Sequence, residues 1–437
     1  MRGGRLDRWL DGLAKTDPAR AGLAEAVISW LTAGDGVETI DLAGVMRFAW
    51  YELPTKWLDG PEVHREALHV AAEIFDHLDR SPYAEVCRSP LTTSIHEAYA
   101  ESTQAGMAAF TKAYRESGID PPDLEDFAWG DVMGSDEAVA RHDAERALEH
   151  AIASGRFVPG RRGWRTAAAE VTAAVLDEPD EVGQTRRHAV LTERLDHWLW
   201  AAERHSPELH ALRARYANLL LHPRPLPADA AERLEPVMWF LDAVVPGAQL
   251  TAAGWLPTSL VRAAWERFDW DRDWIGAPPR SESDFGQLFE LDRLLQRVRA
   301  IHARAKVVRP TAIGARMRQD LEFAWRTVAA GLSEPAWVKA VAEAYALLLM
   351  EGERFDEDLE GRVLRIMADM GWRHGDEPPG ESAVMSAWYA TRRPLRVLAG
   401  VEEIGDWRHR RTRLTAFGRA TLLEQIRADA TEPRSAP

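Results

Sequence analysis

One cysteine, Cys87, stands among 437 residues. That scarcity excludes an internal disulfide and a cysteine-rich zinc site, and it fits a reducing interior. Lysines are few, so arginine carries most of the positive charge. Long apolar runs are missing: the longest candidate, AYALLLM at 344–350, is bounded by Glu343 and Glu351, well short of the ~20 residues of a membrane span. No G-x-S-x-G elbow, phosphate-binding P-loop or G-x-G-x-x-G fingerprint occurs. An overall positive balance is absent too. The net charge of −15 argues against a general nucleic-acid coat or an anionic membrane surface as partner. The opening MRGGRLDRWLDGLAKTD is too charged for a signal peptide, so a soluble, cytoplasmic protein is expected.

What is present reads as helix. Hydrophobic residues make up 46% and charged residues 28%, the balance of an ordinary folded protein. The length suggests two or three domains, and the 18 tryptophans read as core anchors. In HREALHVAAEIFDHL the apolar positions Leu68, Ala71, Ala72, Phe75 and Leu78 follow the three-and-four spacing of a helix with one buried face. Segments near 100–115, 137–153, 189–203, 208–221, 232–244, 336–350 and 358–370 repeat that pattern. The expected class is mainly α. HPRPLPADAAERLEP (222–236), with four prolines, reads as a linker or rigid corner. It divides a helical domain over 1–222 from a C-terminal half beginning near 237, with a frayed tail over 428–437.

Two phrases recur: RPTAIGARM from Arg309 and RLTAFGRAT from Arg413, with a weaker echo, QLTAAGWLP, from Gln249. Before the first lies SDFGQLFELDRLLQRVRAI, which places Phe285, Leu288, Leu291, Leu295 and Val298 on one helical face, with Asp284 near its start. HARAKVVRP follows with the length of a hairpin. Thr311 is then positioned to cap a new helix, and Gly314, having no Cβ, lets another backbone approach. Helix, hairpin and Thr-capped helix form the sequence of a winged helix. The second copy runs SAVMSAWYATRRPLRVLAG, GDWRHRRTRL, then Thr415 and Gly418. Its middle helix reads as short because Arg392, Arg393 and Pro394 flank it. A looser third candidate lies over 137–176, with RFVPGRRGWRT as its hairpin. The expectation is a multi-helix N-terminal domain followed by tandem winged-helix-like units with short β-hairpins, over 237–330 and 331–427.

The segments LTAAGWLPTSLV, RSESDFGQLFELDRLLQRVRAI, RPTAIGARM, MGWR and RLTAFGRA resemble a family of uncharacterised actinobacterial proteins, some of them like a plasmid open-reading-frame-3 protein. CRSPLTTSIHEAYAESTQAGMAAF and SGIDPPDLEDFAWGDVMG are similar to the same family. The resemblance supports tandem winged-helix-like units and implies no activity or catalytic residue.

The charge is unevenly placed. From Arg293 through Arg318 there are eight Arg or Lys and no acid; from Trp407 through Leu423 there are five arginines and no acid. Such concentrations suit phosphate contact. The candidate nucleic-acid-binding residues are Arg293 and Arg297, one turn apart on the expected recognition helix, and Arg304, Lys306, Arg309, Arg408, Arg410, Arg411 and Arg413 on the wings. Double-stranded DNA is the first expected partner. The alternative is an interaction scaffold in which the same surfaces bind an acidic protein or the chain's own N-terminal domain.

An enzyme is the third expectation, because the candidate chemistry is incomplete, and no cofactor is implied. His69, Glu73 and His77 share a helical face without a matching motif on a second helix. HEAYA (96–100) has Ala100 where a zinc protease needs its second His. Asp269, Asp271 and Asp273 have the spacing of a calcium loop, but Trp274 replaces its glycine and Arg280 its last glutamate. Cys87 reads as a small buried apolar residue. The acidic stretch 118–137 carries seven carboxylates and reads as a solvated loop or a surface for basic partners, its own wings included.

Overall fold

The computed structural model describes residues 3–57, 60–268, 270, 278–352, 356–404 and 411–434. Helices dominate, with two small antiparallel sheets. The chain forms two compact units: unit 1 is Met1–Val190 with Pro433–Pro437, and unit 2 is Leu191–Glu432. The division therefore lies inside the helix Arg186–Glu203, upstream of the expected break at 222. The reason is packing. The next helix, Pro207–Leu220, buries Leu209, Leu212, Tyr216 and Leu220 in unit 2. The proline-rich stretch follows suit, burying Leu234 and packing Leu226 against the same unit. It is a rigid corner within unit 2 and does not link domains.

In unit 1 the helix Pro61–His77 buries Ala71, Ala72 and Phe75, as its periodicity predicts, against Val27 and Phe48. The loose third winged-helix candidate is not formed. Between the helices Ser135–Ala153 and Trp164–Asp177 there is no strand. Gly155, Gly160 and Gly163 all take positive φ, so the connection turns repeatedly and never extends far enough to pair. It folds Phe157 into a small core beside Trp164. The acidic stretch is ordered on its own unit. Asp120 pairs with Arg141 at 2.5 Å, Asp126 with Arg187 at 3.1 Å, and buried Glu137 accepts the Gly130 N–H at 2.7 Å. The expected frayed tail is helical through Ala430, and the Arg434 carbonyl accepts the Val132 N–H at 3.1 Å. Among the described residues no helix is long and apolar enough to cross a membrane.

Unit 2 explains the repeated phrase. The first copy runs from the helix Gly286–Arg297 through strands β2 (Ile301–Arg304) and β3 (Val307–Pro310) to the helix Ala312–Met317. The second runs from Glu381–Val397 through β4 (Val401–Ile404) and β5 (Arg411–Leu414) to Ala416–Ala430. Each leading helix ends in a left-handed residue, Arg299 (φ 55°) or Ala399 (φ 49°). The Ala300 N–H then bonds the Leu295 carbonyl at 2.8 Å, as the Gly400 N–H bonds that of Leu395 at 2.7 Å.

The phrase closes the unit. The Thr311 hydroxyl donates to the Arg299 carbonyl at 2.6 Å and accepts the Gly314 N–H at 3.2 Å; the Thr311 N–H donates to the Ala300 carbonyl at 2.9 Å. Thr415 repeats all three bonds, to Ala399, Gly418 and Gly400, at 3.1 Å each. One threonine thus caps a helix and ties it back to the turn that opens the hairpin. The glycine completes the latch, because a Cβ on Gly314 would lie 2.1 Å from the Ala300 oxygen and one on Gly418 1.8 Å from the Gly400 oxygen. The echo at Gln249 behaves differently. β1 (Ala248–Gln249) joins β3 at the sheet edge, and Thr251–Gly254 forms a turn with Gly254 at φ +88° and no cap. The first sheet is ordered β1-β3-β2.

Two readings of the second copy change. Its leading helix is 17 residues long and includes Arg392, Arg393 and Pro394; Arg392 is buried and pairs with Glu403 at 2.8 Å. The copies also share a core. Phe417, Val397 and Leu398 of the second pack with Phe285, Leu295 and Trp325 of the first, and the Trp325 indole donates to Thr421 at 3.0 Å. The expected boundary at 330/331 therefore cuts through one compact unit. Gly418→Ala is expected to lower stability by about 3 kcal/mol, the scale of an overpacked backbone contact. Gly254→Ala, strained only in φ, should cost about 1 kcal/mol. Urea denaturation of both variants would check the difference.

Candidate functional site

The first hairpin carries His302, Arg304, Lys306 and Arg309 and no acid. Ala305 and Lys306, at φ 49° and 61°, form a two-residue turn of the kind whose twist suits tight hairpins. The register pairs His302 with Arg309 and Arg304 with Val307. With side chains alternating along each strand, His302, Arg304 and Arg309 share one face. All three are exposed, while Ile301 and Val308 on the opposite face are buried in the core. β1 steadies this sheet: the Leu250 N–H donates to the Lys306 carbonyl at 2.8 Å, and the Lys306 ammonium approaches the Ala252 carbonyl at 3.4 Å. Arg309 lies over Gly247, where a Cβ would come within 3.0 Å of its Nε. Among the described residues, none of Arg299, Arg304, Lys306 and Arg309 makes an ion pair.

The other cations of the run do different work. Arg293 is exposed on the leading helix and covers the Phe289 ring at 5.1 Å. Arg297 does not project beside it. Its guanidinium donates to the Gly331 and Leu332 carbonyls at 2.8 and 2.9 Å, satisfying acceptors left open at the end of the helix Leu321–Ala330. Arg318 pairs with Asp242 at 2.6 Å, and Arg316 lies 3.9 Å from the Phe323 ring centre. The two leading helices pack on one another, with Arg393 reaching Glu290 at 3.4 Å, so much of the expected recognition helix faces protein.

The second hairpin is not an equivalent of the first. Arg413 pairs with Glu402, its direct cross-strand neighbour, at 2.5 Å, and Arg411 opposite Ile404 is half-buried. Starting this hairpin at Gly405, as the arginine-rich stretch invites, misses the strand VEEI at 401–404 with its two acids. Arg408 and Arg410, and the aspartates Asp269, Asp271 and Asp273, lie outside the described residues. In unit 1, burial pushes the Cys87 thiol up to about 12, which keeps it protonated and unreactive.

A buried carboxyl pair beneath the first leading helix had no signal in the sequence. Glu282, 3% exposed, accepts the Leu256 N–H at 2.9 Å. Asp292, 6% exposed, accepts the Gln296 amide at 2.5 Å through Oδ2 and interacts with the Glu282 carboxyl. Burial, and then the charge of Glu282, push the Asp292 carboxyl up to about 7. Only knowing that Ser281 caps a short turn, bringing Glu282 under the helix, reveals the pair.

Comparison with protein-family models, with curated proteins and with solved structures finds no match.

The carboxyl pair makes stability depend on pH with a definite sign. Asp292 keeps its proton in the folded state up to about 7 and releases it near ~4 when unfolded. The native state therefore holds the extra proton, and this group's contribution falls as pH rises from ~4 to ~7. Asp292→Asn should gain on the wild type by about 1–2 kcal/mol between pH 5 and pH 8, measured by denaturant unfolding at both values. Arg297→Gln should destabilise unit 2 by about 2 kcal/mol, as expected for loss of charged hydrogen bonds, while leaving any binding by the folded protein within about twofold; urea unfolding and a binding titration separate the two effects.

Proposed function

We propose that this protein is a non-enzymatic nucleic-acid-binding protein that contacts phosphate through the first hairpin of unit 2. The order of elements supports a winged-helix-like reading: helix Glu235–Ala243, β1, helix Thr258–Arg267, helix Gly286–Arg297, then β2 and β3. The single observation that carries the proposal is the outer face of the β1-β3-β2 sheet, where exposed His302, Arg304 and Arg309 lie without an acidic neighbour on the paired strands. A cationic face of this kind supplies sequence-independent attraction to a duplex. Exposed Arg293 on the preceding helix is the side chain there offered to base edges, since the Gln296 amide is held by Asp292. Arg297 and Arg413 carry no part of this proposal.

A second reading is an interaction module for an acidic protein. What favours it is the acid–base pairing of the second hairpin and the packing of the two leading helices on each other, both of which remove surface a tandem DNA reader would use.

Fluorescence anisotropy with a labelled random-sequence duplex, titrated across a salt series from about 50 mM upward, tests the proposal. The expected result is micromolar binding with a steep negative salt slope. Arg304→Glu/Arg309→Glu should weaken it at least about tenfold and flatten the slope by about two, one unit per lost phosphate contact. Arg413→Glu should change affinity less than about twofold, since its charge is already spent on Glu402. Absence of duplex binding at about 50 mM salt rejects the proposal and leaves the protein-interaction reading.

A further inference from the structure

Unit 1 carries a second cationic surface that the hairpin reading does not use. An open groove of about 500 Å³ runs along the helix Thr103–Ser117, lined by Met107, Thr111, Lys112, Arg115 and Arg165, with Glu116 the one acid in its lining. Lys112 and Arg115 are three residues apart and so share a helix face. Arg165 comes from the first turn of the helix Trp164–Asp177, held over the Trp164 ring at 4.6 Å.

The loop before that helix is seated against the same groove end. A Cβ on Gly118, the cap of the Thr103–Ser117 helix, would lie 2.7 Å from Pro159. The loop adds Arg156, Arg161 and Arg162, all exposed, and no acid occurs from Arg156 through Ala169. The N-terminus of the helix Trp164–Asp177 has no side-chain cap, which leaves donors and the positive end of its dipole beside Arg165.

Several arginines of unit 1 face carboxylates: Arg47 lies 2.7 Å from Glu145, Arg141 2.5 Å from Asp120 and Arg187 2.6 Å from Asp177. Those around the groove do not. Among the described residues none of Lys112, Arg115, Arg156, Arg161, Arg162 and Arg165 makes an ion pair. In a chain of net charge −15, six cations on two adjoining segments repel one another, and the carboxylates close to them, Glu116 in the lining and Asp120 near Arg115, are fewer. An external anion relieves that repulsion.

We propose that this groove binds phosphate groups, and that their source is the backbone of a nucleic acid. Its open form suits a chain of phosphates laid along the helix better than an enclosed small ligand. The identity of the ligand rests on the function proposed above; the existence of a phosphate site in unit 1 does not.

The test uses the full chain and two ligands, the labelled duplex and inorganic tripolyphosphate, the latter by calorimetry. Lys112→Glu/Arg165→Glu alters exposed side chains; Lys112→Gln/Arg165→Gln serves if the reversal misfolds, with circular dichroism as the check. The expected result is that the reversal weakens duplex binding about tenfold, lowers the salt slope by about two and abolishes tripolyphosphate binding. Unchanged binding of both ligands overturns the site, whatever Arg304→Glu/Arg309→Glu does. Loss of duplex binding in the groove variant alone supports the site and rejects the hairpin. Groove-dependent tripolyphosphate binding without duplex binding keeps the phosphate site, with a free phosphate compound as its source, and rejects nucleic acid. Binding of neither ligand by the wild type overturns the site and the nucleic-acid reading together.

Discussion

A threonine hydroxyl that bonds two backbone groups from different elements holds unit 2 in its shape. Thr311 and Thr415 each join the end of one helix, the mouth of a hairpin and the start of the next helix. Each such bond contributes only about 1 kcal/mol net. Their importance is geometric, because they fix where the hairpin leaves the helix and allow the backbone to close on Gly314 or Gly418. That contact leaves no room for a side chain, so the threonine and glycine form one device three residues apart. Around it the two copies pack through one shared core, with Trp325 of the first bonded to Thr421 of the second.

The two copies place different residues opposite the same arginine position. β2 carries His302 and Arg304 where β4 carries Glu402 and Ile404 in the corresponding order. One residue choice per strand position decides whether the arginine opposite is free, as Arg309 is, or neutralised, as Arg413 is. The two leading helices pack on each other, which turns surface that either would expose alone into an internal interface. Among the described residues, the first copy exposes the arginine of its third strand position and the second pairs it with a carboxylate.

Arginine does most of the charged work, and its use separates into two kinds. Arg297, Arg392, Arg318 and Arg413 satisfy carbonyls or carboxylates within unit 2. Arg304 and Arg309 on the sheet, and the cluster around Lys112 in unit 1, are left without internal partners. Composition cannot distinguish the two kinds, because both add the same charge to the chain. The guanidinium fork answers to whatever acceptors the fold brings near.

Much of the architecture was legible in the chain itself. The helical class, the repeated phrase, the capping role of Thr311 and Thr415 and the need for a bare Cα at Gly314 and Gly418 all rest on local chemistry: periodicity, a hydroxyl at a helix start, a missing Cβ. The echo at Gln249 shows the limit, for similar letters make a turn there and the next helix starts only at Thr258. Only the tertiary structure decided that 223–236 is a corner inside unit 2, that 154–163 turns instead of pairing, that Arg297 is a clamp and Arg304 an exposed cation, and that Glu282 and Asp292 are buried together. The reason is physical. Caps and periodicities depend on residues within one or two turns, whereas burial, charge neutralisation and carboxyl protonation depend on which distant segments arrive, and nothing in the local sequence encodes those neighbours.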